Sequence, residues 1–348
     1  MKRLKAPLAT LLLAAAACLA VPAAAQDISY TASQPLQLPH DTFFGMVAGV
    51  ATNSKGHVFV YTRNGEPTVT LAGSRTFAHG GSNLYEFAPD GKFVRQIGSH
   101  VYGFLAAQAV RIDAQDNIWV VDRYSSMVMK FNPDGTLAML LGRKPESVDV
   151  PSKPNTGRAV AGAPEGSGMQ SDLFEGPADV AFDQDGNIFV ADGLGNARIA
   201  KFTRDGVFVK SWGGRGTADG MFHTPHSIAV DVGGNVYVAD RGAKRIQVFD
   251  NNGTYKSSIA NVGDPQAICI SNGAHPYLFS SNSNPQTDLD TGGDISKLEL
   301  SGTLVGKFGR AGKAPREFGS VNAIDCRGGN TLYVAESGNW RVQKINLQ

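Results

Sequence analysis

A histidine and an arginine fifteen residues apart are the residues best suited to chemistry in this sequence. His226 follows Pro225 at the start of an apolar-alternating run, and Arg241 follows the Val-Ala-Asp triplet that ends the next run. An imidazole binds protons and metals near neutral pH, and a guanidinium pairs with a carboxylate in bidentate fashion. The pair therefore indicates a site for a metal ion or an anionic ligand, provided that the fold brings both residues to one surface.

The same spacing recurs in five other places, and this repetition predicts the fold. Each copy holds an apolar-alternating run, a tight turn such as DQDGN at 183–187, and a second β-branched and aromatic run. Such runs split by Asp, Asn and Gly turns are typical of antiparallel hairpins. Four copies continue with a third strand such as KRIQVF, and a fourth strand follows a Gly turn in RDGVFVKSWG. Repeated four-stranded units predict an all-β, six-bladed β-propeller of antiparallel blades.

The ring of blades needs a strand from the N-terminal region to close. The last copy ends after its third strand at Gln348, whereas residues 27–39 are strand-like and have no blade of their own. We expect this segment to supply the missing outer strand, because closing the ring protects the sheet edges.

The first 25 residues are predicted to be a secretory signal peptide. Lys2, Arg3 and Lys5 precede an apolar run and an Ala-rich cleavage site before Gln26. The sequence thus predicts a propeller domain at 26–348 in a periplasmic or secreted protein. Cys18 offers a lipoprotein as an alternative, which is less favoured because Ala15 stands where a lipobox usually has Leu. The apolar run is too short to span a membrane.

Charge and cysteine content narrow the expected partners and chemistry. The chain has 32 basic and 31 acidic residues, so nothing indicates nucleic acid as a partner. Cys269 and Cys326 lie on the first strands of neighbouring blades, one position out of phase. Export permits a disulfide between them, but the offset favours two buried free thiols.

Two sets of residues are expected to meet at one mouth of the central channel, because a first strand starts where the second strand ends. The inner set is Ala48, Gln108, Ala178, His226, Gln266 and Asn322. The outer set is Arg63, Arg123, Gly193, Arg241, Ser281 and Ser337. Insertions at 64–83, 143–175 and 282–293 are expected to open on the same face. The candidate ligand-binding residues are therefore Arg63, Gln108, Arg123, His226, Arg241 and Asn322. The amides could instead line a water column, and the arginines could pair with blade-edge aspartates such as Asp122 and Asp240.

The segments VADRGAKRIQVF and VADGLGNARIAKF resemble NHL repeats, and FHTPHSIAVD and ADRGAKRIQVF resemble a more specific family. Residues 45–348 are similar to the propeller domain of peptidyl-α-hydroxyglycine α-amidating lyase. That resemblance implies a zinc at the channel mouth, held by histidines of Pro-His pairs in blades two, four and six. It assigns one zinc histidine to His226 and active-site roles to Arg63 and Arg241.

This sequence departs from the family pattern at four positions. Gln108 and Asn322 stand at the other two zinc positions, and Leu194 stands where the family has a catalytic tyrosine. Ala323 replaces the aspartate that helps to hold the family's structural calcium. Neutral amides are poor zinc ligands, because catalytic zinc sites use three ligands from imidazole, thiolate or carboxylate groups.

The sequence leaves two functions open. The favoured one is an exported propeller without a cofactor that binds an anionic small molecule, a peptide carboxylate or a protein at the mouth. The alternative is a carbon–nitrogen lyase of the amidating type with a degenerate or rearranged site. In that case zinc is the cofactor, His226 is its ligand, and Arg63 and Arg241 are catalytic. His40 follows Pro39 in a further Pro-His pair. It lies outside the repeats, so the spacing does not place it at the mouth, but it leaves a rearranged site open.

Overall fold

The computed structural model describes residues 26–64, 68–71, 75–78, 81–142, 171–284, 288 and 290–348. Apart from a 3₁₀ turn at Arg241–Ala243, the regular elements of this part of the chain are β-strands. The described residues contain no helix with the length and apolar character needed to cross a membrane. The expected signal peptide at 1–25 and most of the insertion at 143–175 lie outside the described residues.

The strands form six blades, each running from the channel outward in chain order. The N-terminal strands are β1 (Gln26–Asp27) and β2 (Tyr30–Ser33). Blade one consists of β3 (Met46–Thr52), β4 (Val58–Arg63), β7 (Ser82–Phe87) and β8 (Phe93–Ile97), with the inserted hairpin β5 (Thr68–Leu71) and β6 (Arg75–Ala78). Blade two consists of β9 (Ala107–Ile112), β10 (Ile118–Asp122), β11 (Met127–Phe131) and β12 (Leu137–Leu141). Blade three consists of β13 (Asp179–Phe182), β14 (Ile188–Asp192), β15 (Arg198–Phe202) and β16 (Phe208–Gly213).

The remaining blades follow the same plan. Blade four consists of β17 (Pro225–Val230), β18 (Val236–Asp240), β19 (Arg245–Phe249) and β20 (Tyr255–Ile259). Blade five consists of β21 (Ile268–Ile270), β22 (Tyr277–Asn282), β23 (Asp294–Glu299) and β24 (Leu304–Phe308). Blade six consists of β25 (Val321–Gly328), β26 (Thr331–Glu336) and β27 (Arg341–Leu347). The innermost strands contact one another in a closed ring, so the predicted all-β six-bladed propeller is confirmed.

Apolar side chains between neighbouring blades form the core. Each of the six blade interfaces is filled by its own buried cluster in the described part of the chain. Tyr61 and Phe104 meet between blades one and two, and Phe222 and Phe249 meet between blades three and four. Truncating one such buried ring to Ala typically costs about 3–5 kcal/mol. The ring of packed interfaces therefore gives the loops a rigid support.

The N-terminal segment closes the ring as the sequence predicts. Strand β2 pairs antiparallel with β27, with Tyr30 opposite Leu347, and becomes the outer strand of blade six. Strand β1 also pairs in parallel with β24, with Gln26 opposite Gly306. This extra strand on blade five was not predicted, because two residues are too few to show an alternating pattern.

The expectation of two free thiols is wrong. Cys269 and Cys326 form a disulfide, and their Cα atoms are 5.9 Å apart. Both cysteines belong to the buried cluster between blades five and six. Neighbouring blades turn opposite faces of their sheets toward each other, so residues one position out of phase are the ones that meet, as Ala51 and Val110 do between blades one and two. The disulfide joins the innermost strands of blades five and six.

Candidate functional site

Local β-bulges aim the inner set of residues into one end of the channel, here called the upper mouth. In blade four the pairing passes from Pro225 opposite Asp240 to Ser227 opposite Ala239, so His226 has no partner in the ladder. The same interruption occurs at the inner-set residues of three other blades: Ala48, Gln108 and Asn322. A bulge turns a side chain out of the pleat. The bulges therefore explain why these positions meet, and sequence reasoning missed them because a one-residue bulge leaves no periodic signal.

Four side chains of the inner set form a closed chain of hydrogen bonds, here called the mouth circuit. Gln108 Nε2 lies 3.2 Å from His226 Nε2, and His226 Nδ1 lies 2.8 Å from the carbonyl oxygen of Gln266. Gln266 Nε2 donates to Asn322 Oδ1 over 2.6 Å, and Asn322 Nδ2 donates to the Gln108 carbonyl over 3.2 Å. Asn322 Nδ2 also donates to the carbonyl of Ala48. The circuit thus links blades one, two, four, five and six across the mouth.

The partners of His226 define its tautomer and its charge. A carbonyl oxygen can only accept, so Nδ1 carries the proton and Nε2 accepts from the Gln108 amide. Burial, together with the positive charges of Arg241 and Arg123, lowers the pKa of His226 from 6.5 to about 4. His226 is therefore a neutral imidazole at pH 7 with both ring nitrogens engaged.

The arginines of the outer set surround this circuit in different environments. Arg241 follows β18 and donates from Nε to Asp264 Oδ1 over 3.0 Å, with about a third of its side chain exposed. Arg123 is exposed at the end of β10, and its charge acts on His226. Arg63 is partly buried at the end of β4, where its charge lowers the pKa of Tyr61 against the larger effect of burial. Two of the three arginines therefore act electrostatically on the circuit.

Buried carboxylates at the ends of the second strands hold the loops that carry these arginines. Asp122 accepts hydrogen bonds from the backbone amides of Leu105 and Ala106. Asp240 accepts from two backbone amides in the same way and pairs with Arg245. Arg241 pairs with an aspartate as the alternative interpretation expects, but its partner is Asp264, in the loop that leads into blade five.

Gly193 has no side chain, and this allows blade three to approach the segment that carries His226. A Cβ atom built on Gly193 would lie 1.6 Å from the carbonyl oxygen of Pro225. The glycine therefore fixes how close the Pro225–His226 segment lies to blade three. Leu194, the residue at the family's tyrosine position, is half-buried and donates its backbone amide to Gly176.

An ion pair that sequence reasoning missed lies in the channel below the circuit. Arg111 forms a bidentate pair with Asp179, with Nε–Oδ1 and Nη2–Oδ2 distances of 2.9 and 2.6 Å. The charge of Asp179 raises the pKa of Arg111 against the opposing effect of burial. The signal was present in the sequence, since both charged residues interrupt first strands that otherwise read as buried.

The residues at the upper mouth do not fit a tetrahedral zinc site. Of the three positions that the family resemblance assigns to zinc, only His226 carries a common zinc ligand, and both of its nitrogens are hydrogen-bonded. The described residues contain no cluster of three His, Cys, Asp or Glu side chains that could hold a metal. His40 lies outside the repeats, is exposed and pairs with Asp41 at 2.7 Å. Among the described residues, no hydrogen bond or ion pair links His40 to the mouth circuit.

Comparison with known proteins relates the chain to NHL propellers. The NHL repeat model matches residues 174–202 and 222–249. NHL repeat-containing protein 3 of Homo sapiens is 31% identical over 279 residues, which cover 74% of this chain and 71% of that protein. Peptidyl-alpha-hydroxyglycine alpha-amidating lyase 1 of Drosophila melanogaster is 30% identical over 271 residues, which cover 70% of this chain.

The extent of these matches differs between the relatives. The chain spans 44% of the length of the Drosophila lyase, so it corresponds to less than half of that protein. Among solved structures, a streptogramin B lyase superposes with a TM-score of 0.56 over 92% of this chain and 98% of its own, at 12% identity. At that identity the likeness concerns the fold.

Proposed function

Because this chain belongs to the family of NHL repeat-containing β-propeller proteins, we propose that it is a binding protein whose upper mouth takes a carboxylate-bearing peptide or protein segment. The observation that carries the proposal is the mouth circuit. His226, Gln108, Gln266 and Asn322 satisfy one another, and arginines stand around them. Such a mouth offers guanidinium donors to an anion and needs no metal.

Arg241 is the residue best placed to contact the ligand. Its guanidinium is partly exposed and makes its hydrogen bond to Asp264 through Nε. The two terminal nitrogens of a guanidinium held in this way can face a second carboxylate in a fork. The pair with Asp264 orients the guanidinium and also weakens its field, so Asp264 tunes the affinity for anions.

Exposed aromatic side chains on the same face favour a peptide or protein over a small ion. Phe43 is 78% exposed, Tyr102 87% and Trp340 62%. Phe43 lies in the loop that leads into blade one, Tyr102 in the loop between blades one and two, and Trp340 in the loop between β26 and β27 of blade six. All three loops are at the upper ends of their strands. Aromatic residues and arginine dominate the binding energy of protein interfaces. The upper face therefore combines charge with apolar anchors.

The disulfide supports export as part of the proposal. Structural disulfides persist in oxidising compartments and are rare in the reducing cytosol. Cys269 and Cys326 are bonded, which agrees with the signal-like sequence at 1–25. Both features support a binding function outside the cytoplasm.

Calorimetry with acetyl-Phe-Ala-Ala in free and C-terminally amidated form tests the binding proposal. We expect the free acid to bind more tightly, since a charge-assisted hydrogen bond contributes about 1.5–3 kcal/mol, or roughly ten- to 150-fold in affinity. Arg241→Gln should lose that preference, and Asp264→Asn should strengthen binding of the free acid. Arg204→Gln, at an exposed lower turn, is the matched control. Equal binding of both peptides by the wild type would sink the proposal.

The lyase relatives supply a second candidate function. The chain keeps Pro225-His226 and two of the matching arginines, Arg63 and Arg241, which favours an activity related to that of the Drosophila lyase. Glyoxylate release from a peptide ending in α-hydroxyglycine measures it directly. Release that disappears in His226→Gln would replace the binding proposal with a lyase, and absence of release supports the binding function.

A further inference from the structure

The opposite end of the channel, here called the lower mouth, holds a cavity that the upper-mouth site does not use. It has a volume of about 200 Å³, and all six blades contribute to its lining. A second cavity of about 490 Å³ adjoins it and shares Asn272, Asp325 and Arg327. We propose that the lower mouth is a separate site for a small carboxylic acid with a short apolar body.

Two guanidiniums supply the polar part of the site. Arg111 lines the cavity, and beyond its pair with Asp179 it makes long contacts of 3.4 Å to the carbonyls of Ile268 and Ile324 and of 3.3 Å to the Ser227 hydroxyl. Arg327 likewise makes contacts of 3.3 Å to the Ile112 carbonyl and 3.4 Å to Asp325. These long contacts use the donors poorly, so shorter hydrogen bonds to a ligand would replace them favourably.

The carboxylates of the site are already saturated with donors. Asp179 accepts from Arg111, from the Ser227 hydroxyl and from the backbone amides of Val180 and Ile228. Asp325 accepts from the backbone amides of Thr52 and Arg327 as well as from the Arg327 guanidinium. The lower mouth thus has donor capacity to spare and few free acceptors. A ligand must supply acceptor oxygens, as a carboxylate does.

The rest of the cavity wall is apolar. Blades three, four and five contribute Phe182, Val230 and Ile270, which are partly exposed at the rim, and the buried Ile228 lies deeper. Apolar surface of this kind gains free energy when a hydrocarbon body covers it. The charged wall and the apolar wall together match a carboxylic acid with a short aliphatic or aromatic body.

The site is held in place by two features of β25. The irregular register between Asp325 and Gly328 turns the Arg327 region away from the ordinary ladder, and bulges of this kind re-aim side chains near binding sites. Cys326, between Asp325 and Arg327, is bonded to Cys269, which itself lines the cavity. The disulfide therefore fixes Arg327 relative to blade five and keeps the site preorganised.

Calorimetry of the full mature chain with hexanoate, hexanamide and inorganic phosphate tests the proposal. We expect saturable binding of hexanoate, with hexanamide weaker by about tenfold or more because it lacks the charge. Amide NMR shifts induced by hexanoate in the wild type should centre on Ile270, Asn272 and Arg327. Hexanoate binding that is absent, or equal to hexanamide binding, overturns the proposal. Phosphate binding without hexanoate binding overturns it as well.

Variants separate this site from the upper mouth. Arg327→Gln should weaken hexanoate binding by about tenfold or more, whereas Arg241→Gln should leave it within about twofold. Arg327→Lys keeps the positive charge near Asp325 but loses the forked pair of guanidinium donors. It should fold like the wild type and bind hexanoate with intermediate affinity, which separates loss of the site from loss of folding. Unchanged binding in folded Arg327→Gln, or loss only in Arg241→Gln, refutes a lower-mouth site. Loss only in Arg241→Gln would assign the carboxylate to the upper mouth instead, whereas unchanged binding in Arg327→Gln does not bear on peptide binding there.

Discussion

Acidification should destabilise the propeller through His226. The imidazole is buried, and burial together with Arg241 and Arg123 lowers its pKa from 6.5 to about 4. The unfolded chain therefore takes up a proton at this residue near pH 6.5, and the folded chain takes it up only near pH 4. The stability that His226 contributes is fully present above pH 6.5 and is lost progressively as the pH falls toward 4.

The size of the effect follows from the shift. One pKa unit corresponds to about 1.4 kcal/mol, so the full shift is worth about 3 kcal/mol. The part lost between pH 8 and pH 5 is about 2 kcal/mol. His226→Gln removes the titrating group while keeping a donor and an acceptor for the circuit. The pH-dependent difference between wild type and variant therefore isolates this residue.

Urea unfolding at several pH values between 8 and 4.5 measures the effect. The free energy of unfolding of the wild type should fall relative to His226→Gln by about 2 kcal/mol between pH 8 and pH 5. His223→Gln, which replaces an exposed histidine, is the control. Its free energy of unfolding should vary with pH much as that of the wild type does. Imidazole ¹⁵N NMR should show His226 protonated at Nδ1 at pH 7. Parallel profiles for wild type and His226→Gln, or an Nε2-protonated ring, would refute the reasoning.

Three further predictions concern the elements that support the site. Gly193→Ala should displace the neighbouring strand of blade four and cost several kcal/mol of unfolding free energy. Gly233→Ala is the control: its methyl group would meet only side-chain atoms, the nearest being Asp231 Oδ1 at 3.3 Å, so it should cost about 1 kcal/mol. Equal costs in thermal melts would contradict the close approach. Replacing both Cys269 and Cys326 by Ser should cost about 2–5 kcal/mol in urea unfolding, and an unchanged midpoint would show that the bond contributes nothing. Deleting residues 26–33 should expose the edge of blade six and lower the melting temperature, with aggregation measured by light scattering; an unaffected melt would mean that the strand does not close the ring.

The sequence predicted the architecture because its information is periodic. Alternating runs, Asx–Gly turns and the repeated spacing of His226 and Arg241 each report a local structure that the ring repeats. The closing strand followed from a counting argument, since the last copy lacks an outer strand. The packing between blades is consistent with the strands and turns that the local sequence patterns predict.

The details of the site depend on β-bulges and contacts between blades, which an alignment of the repeats does not reveal. Bulges at four of the six inner-set positions, Ala48, Gln108, His226 and Asn322, shift a residue by one place and turn it toward the mouth. The disulfide joins two residues that face each other between neighbouring blades. Arg111 and Asp179 lie on neighbouring blades, and no spacing within one repeat encodes their contact. The pairing of Arg241 with Asp264 is likewise an inter-blade contact.

Zinc titration into chelator-treated protein tests the central claim most directly. The claim is that the upper mouth is a hydrogen-bonded circuit of amides and one neutral imidazole that serves anion recognition. Calorimetry should then show no stoichiometric zinc binding that depends on His226, and peptide carboxylate should bind equally well with and without zinc. Stoichiometric zinc binding that is lost in His226→Gln, with peptide binding dependent on that zinc, would contradict the claim.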